Sequence, residues 1–175
     1  MKGKQTVWDM VRSLAVIGVV VAGIYIFLPH DDQADPTRTV DYRVETLTAR
    51  RAAPYPVAVP VGLPQEWRAT SVTYERKNSN AWHLGFQDPE KQYVAIEQSS
   101  DTAEKYLTAV TQKAKSTGRT QQVGDRAWER WDGEKYDALV LREQGHVTVV
   151  TGTASFEQLG TMAAALEFRQ GPQTP

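Results

Sequence analysis

The chain has 175 residues, 41% of them hydrophobic and 23% charged, with 20 basic against 21 acidic side chains and no cysteine. That length fits one globular domain with an appendage. The missing cysteines exclude a disulfide framework, a thiol nucleophile and a thiolate zinc site. The near-neutral charge argues against nucleic acid as a partner, because displacing counterions from phosphates needs excess cations.

The first element is apolar. Leu14 to Leu28 is a run of fifteen residues with no charge, and the Tyr25 hydroxyl is its only strong hydrogen-bonding side chain. As a helix it is only about 22 Å long, and extending it back to Met10 approaches the ~30 Å hydrocarbon core of a bilayer. Arg12 then falls in the first turn, where a long stem can carry its guanidinium to the headgroups. Pro29 ends the run. A cleaved secretory signal is the competing reading, but Ile26-Phe27-Leu28-Pro29-His30-Asp31 places bulky and charged groups where a peptidase needs small ones. Residues 10–28 are therefore expected to be an uncleaved transmembrane anchor with the lipid bilayer as its partner. Lys2, Lys4 and Arg12 lie before the run and Asp31, Asp32 and Asp35 after it. The positive side stays cytoplasmic, so residues 1–9 are read as an internal tail and the rest as exported. The expected location is the cytoplasmic membrane, single-pass, with the C-terminal domain outside.

Residues 29–39 are polar and acidic and read as a solvated tether, with His30 a polar residue at the interface. Residues 40–169 are assigned to one domain and 170–175 to a disordered tail. Val40 to Ala53 fits two patterns: Val40, Tyr42 and Val44 alternate like a strand, while Val44, Leu47 and Arg51 share a helical spacing. Pro54, Pro56 and Pro60 make the following stretch extended or turning.

Strands are expected over Trp67–Glu75, Trp82–Gln87 and Tyr93–Gln98, followed by a helix started by an Asp101/Glu104 capping box. Ala103, Leu107, Val110 and Ala114 mark its buried stripe, and Gly118 follows its end. A second unit opens near Gly124, with strands Ala127–Trp131, Tyr136–Arg142 and His146–Thr151, turned at Asp132-Gly133 and Gln144-Gly145. Ser155 with Gln158 repeats the capping box, and Phe156, Leu159, Met162 and Leu166 form the next apolar stripe. Two helix starts 54 residues apart, each after three strands, suggest two repeated strand-triplet-plus-helix units.

The fold class is α+β: a mainly antiparallel sheet with helices packed on it, preceded by the transmembrane helix. The sheet is expected to carry its helices on one face and the Val40–Pro60 segment, or a partner, on the other. The order of elements is similar to PsbP-like sandwiches, an analogy of fold that carries no function.

No assembled catalytic set is visible. His83 lies between Trp82 and Leu84, so alternation turns it away from their face, and His146 begins a strand beside a turn. No histidine pair or acidic loop has metal-ligand spacing, no Gly-x-Ser-x-Gly occurs, and Ser155 reads as a helix cap. No catalytic residue, cofactor or metal is assigned. Trp67, Trp82 and Trp128 are read as core. Trp131, beside a turn, is the best candidate for an exposed ligand or partner contact, with His83 and His146 behind it.

Pro60-Val61-Gly62-Leu63-Pro64 with Trp67 and Thr70-Ser71 resembles the actinobacterial domain-of-unknown-function family 4245. So do Trp82-His83-Leu84-Gly85-Phe86, Tyr93 with Gln98-Ser99, Gly124 with Trp128, and Val150 to Ser155. The resemblance runs from about Trp8 to Leu166 and implies a single-anchor envelope protein of a Gram-positive, high-GC bacterium. It implies no reaction. The leading expectation is a non-catalytic binding or interaction module of the bacterial cell envelope, its partner a protein or envelope component. The alternative is an extracytoplasmic hydrolase built from scattered carboxylates such as Glu97 and Asp137.

Overall fold

The computed structural model describes residues 8, 10–17 and 39–171. The chain divides into two compact units, Met1–Pro36 and Thr37–Pro175. In the first, residues 10–17 form helix α1, whose Val11, Leu14, Val16 and Ile17 are all exposed. Among the described residues no helix is long and apolar enough to cross a membrane. Residues 18–28 of the expected anchor, the tether as far as residue 38 with His30, and the last four residues lie outside the described residues.

The second unit opens with helix α2 (Arg43–Ala52), so the ambiguous stretch is helical. Its buried residues are Thr46 and Ala49, with Ala53 just beyond, while Val44 and Leu47 of the expected stripe are exposed. Ala53 turns extended ahead of Pro54, where the proline ring disfavours helical geometry. Strand β1 (Val57–Pro60) pairs antiparallel with the last strand, β9 (Leu166–Arg169). The expected helical stripe reached Leu166, but helix α4 (Phe156–Ala164) stops short and Leu166 starts β9.

The main sheet has seven strands in the order β2 (Arg68–Glu75), β3 (Ala81–Gln87), β4 (Tyr93–Ser99), β8 (His146–Gly152), β7 (Asp137–Glu143), β6 (Arg126–Asp132), β5 (Lys115–Val123). Every neighbouring pair is antiparallel. The molecule is α+β with a mainly antiparallel sheet, as its alternation and turn residues indicate. Strand β5 was not anticipated. Its sequence, KSTGRTQQV, is polar on both faces and mostly exposed, as suits an edge strand and as hides the apolar alternation that betrays a buried one.

Two cores lie on opposite faces of the sheet. Trp67, Trp82, Leu84, Ile96, Trp128, Leu139 and Val150 point to one face and meet β1, α2 and Leu159 and Met162 of α4. Ala138, Val140, Val147 and Val149 point to the other and meet Leu107 of helix α3 (Glu104–Val110). The expected layering is corrected accordingly: α4 shares its face with the Val40–Pro60 segment, and α3 alone covers the opposite one. The strand triplets β2-β3-β4 and β6-β7-β8 do meet back to back at β4–β8. A rotation exchanging two antiparallel neighbours keeps each face of the sheet, so helices on opposite faces do not extend that relation, and the strand-triplet-plus-helix repeat is not upheld.

The helix starts also differ. Ser155 caps α4, its side chain accepting the Gln158 amide N–H. Asp101 does not cap α3; its carboxylate accepts the Ala103 amide at 2.9 Å, one step ahead of the helix.

Candidate functional site

The α3 face of the sheet is only half covered. Over β2, β3 and β4 it carries polar residues at facing register positions: Thr73 opposite His83, and His83 opposite Glu97. His83 Nε2 lies 2.8 Å from Ser71 Oγ, and His83 Nδ1 lies 2.6 Å from Glu97 Oε1. The three side chains form a relay across three adjacent strands. His83 and Glu97 are 25% and 16% exposed, so water reaches the relay without flooding it.

Backbone geometry aims each member. The register of β2 against β3 slips between Ala69 and Ser71, leaving Thr70 as the extra residue of a bulge. Without that slip the two-residue alternation would turn Ser71 into the core. Gly85 then makes room: a Cβ there would collide with Ser71 Oγ and stand 3.2 Å from the Tyr93 hydroxyl. A glycine inside a strand often marks such a close approach.

Charge follows geometry. Burial works against a charged His83, but the Glu97 hydrogen bond and charge outweigh it and hold the imidazole above its usual range. Burial first, then the nearby Glu97 and Tyr136, push the Tyr93 phenol up to about 12, while Ser71 beside it pulls slightly the other way. Tyr93 is therefore a hydroxyl donor throughout the physiological range. Tyr106 of α3 closes the other flank. Its buried hydroxyl has no hydrogen-bond partner among the described residues, and burial followed by Glu97 raises its pKa.

A second feature lies on the far side of α3. Between that helix and the β6–β7 turn runs a groove of about 850 Å³ lined by Lys105, Lys113, Lys115 and Lys135. None of the four forms an ion pair among the described residues. The acidic residues in the lining are Asp132, which lies 3.4 Å from Arg119, and Glu134. At the rim, Gln112 and Lys113 take φ of 52° and 75°, left-handed values that disfavour side chains with a Cβ by roughly 1–2 kcal/mol each. The chain keeps a lysine where a glycine would sit more easily.

The three residues singled out from sequence separate. His83 is the centre of the relay. His146 is buried, stacked on Tyr55 at 5.1 Å, with Nε2 3.1 Å from Glu143 but not aligned as a hydrogen bond. Trp131 is 3% exposed and packs beneath α3, its indole N–H donating to Glu129 at 3.1 Å, so the exposed contact expected of it is corrected to a core position. Trp67, Trp82 and Trp128 do fill the other core. Glu97 and Asp137 do not converge. Glu97 pairs with Val149 and Asp137 with Gly152, positions of opposite parity on β8. Among the described residues no group of three His, Asp or Glu side chains could hold a metal ion.

Sequence reasoning missed Ser71, Tyr93 and the lysines. The one available signal for the relay was Gly85 between Leu84 and Phe86. The lysines are scattered along the chain and only the fold gathers them.

No curated protein matches the chain. The family model for the protein of unknown function DUF4245 matches residues 2–166, nearly the whole sequence, and the chain belongs to that family.

Proposed function

We propose that the chain is a single-pass envelope protein whose exported domain binds an anionic envelope component in the lysine groove beside α3. The groove carries the reading: around one concavity stand four ammonium groups that form no ion pair among the described residues, Lys135 lying 5.3 Å from the Tyr136 ring centroid, in a domain with more acidic than basic side chains overall. With four lysines against Asp132 and Glu134 the lining is net positive, and a concave site with an excess of one sign attracts and concentrates ligands of the other. The tethering half of the proposal rests on the uncharged run to Leu28, the cationic flank before it and the exposed apolar side chains of α1.

Two experiments test the two halves. The natural absence of cysteine allows Glu134→Cys to be labelled uniquely. A membrane-impermeant maleimide should react with it in intact cells, and reaction only after lysis overturns the export. Polyphosphate titrated into the full chain in a non-ionic detergent should bind in a salt-sensitive way. Lys113→Glu with Lys115→Glu should weaken that binding at least tenfold; unchanged affinity overturns the groove as the site.

A further inference from the structure

Beyond the binding reading, and independent of it, we propose that Ser71, activated by a His83 imidazole that Glu97 orients, is a nucleophile that accepts the acyl group of a short-chain carboxylic ester. The relay has the connectivity that acyl transfer needs: a hydroxyl on one imidazole nitrogen, a carboxylate on the other and a separate hydroxyl donor beside the nucleophile. With its Nδ1–H donating a hydrogen bond to Glu97, neutral His83 presents the Nε2 lone pair to the Ser71 hydroxyl at 2.8 Å.

The step balances without a further reagent. Ser71 Oγ bonds to the ester carbonyl carbon as its proton passes to His83 Nε2, and the carbonyl oxygen becomes an oxyanion that accepts a hydrogen bond from Tyr93. The tetrahedral adduct then breaks its bond to the alcohol oxygen, which takes the proton from His83. Water repeats both steps, releasing the carboxylic acid and restoring the serine. Glu97 is a positioning residue. It fixes the imidazole tautomer and does not touch the acyl group.

Placement sets the substrate class. Ser71 stands on β2, one of the two edge strands of the sheet, so the alcohol portion of an ester can extend past the edge into solvent. The acyl portion would lie over Gly85 beside the Tyr93 ring, whose Cε2 is 3.2 Å from where a Gly85 Cβ would sit, and this close floor favours a short chain. An acetyl-type ester on a larger carrier matches both limits.

The test uses the full-length chain in non-ionic detergent, a fluorophosphonate probe and peptide mass spectrometry. The expected result is a single adduct on Ser71, in the tryptic peptide ending at Arg76. It should be lost in Ser71→Ala and slowed at least tenfold in His83→Ala. Labelling should rise with pH as His83 deprotonates, and Glu97→Gln should move that midpoint to lower pH. A merely structural Glu97 would leave the midpoint in place. No adduct on wild-type chain with an intact circular dichroism spectrum overturns the proposal. So does an adduct on a tyrosine instead, or one formed equally fast in His83→Ala.

Discussion

Ser71, His83 and Glu97 meet because a bulge, a glycine and a strand register put them there, and the same contacts make His83 a stability element. Its folded pKa lies above the unfolded value, so the stabilisation is complete below about 6.5 and disappears as pH rises through the folded pKa. Thermal melts of wild type and Glu97→Gln should therefore differ most on the acid side of the histidine titration, while Glu97 is still ionised, and converge toward alkaline pH. A gap that widens with pH would contradict this linkage. Gly152 is a second case in which backbone decides. A Cβ there would run into the Tyr93 carbonyl oxygen, which accepts the Thr153 amide at 2.9 Å. Gly152→Ala should cost about 1–3 kcal/mol in a denaturant titration. At this scale the sequence was partly legible. Alternation around Trp82 and Leu84 correctly turned His83 off the core, but a one-residue slip at Thr70 has no signature in composition, and nothing in the local pattern at Trp131 distinguished an exposed turn neighbour from a ring under a helix.

At the scale of elements, β1 is held onto the main sheet by polar groups as well as apolar ones. Gln98 on β4 is fully buried, yet its carbonyl accepts the Ala58 amide at 2.7 Å. Its NH2 donates to the Pro56 carbonyl at 3.2 Å and to the Thr148 hydroxyl at 2.9 Å. The Trp82 indole donates to the Ala58 carbonyl at 3.1 Å. Gln98→Leu keeps the volume but strands the buried Ala58 amide and Thr148 hydroxyl, and should lower stability by about 2 kcal/mol or more, read from the denaturation midpoint. Helix α3 is fastened differently, by Arg142, whose guanidinium lies 2.6 Å from Glu104 and 3.2 Å from Glu129. These groups are half exposed, so Arg142→Ala should cost no more than about 1 kcal/mol in the same titration. Strands with apolar alternation and turns marked by glycine were readable. The polar edge strand β5 and the four-residue β9 were not, because neither presents a two-residue apolar pattern long enough to stand apart from a helix end or a loop.

At the scale of the whole domain, the seven-stranded sheet is a septum between two unequal cores, the larger built from both ends of the domain sequence. Which face each helix takes was not legible. The runs Tyr93–Ile96 and Val147–Val150 are apolar on both sides, so they announce a central strand covered above and below without saying by what. The uncovered quarter holding the relay follows from α3 being only seven residues long, too short to roof all the strands beneath it. The pairing of β1 with β9 has a mechanical corollary. Val57, where the chain enters this ribbon, sits opposite Arg169, where it leaves, and the Gly171 amide is bonded to the Arg50 carbonyl nearby at 2.8 Å. Tension applied between entry and exit would load the ribbon's hydrogen bonds singly, like a zip, instead of sharing the load among them in shear. Pulled through handles at Val57 and Arg169 in an optical trap, the domain should surrender this ribbon first, as a small low-force step well before the septum tears.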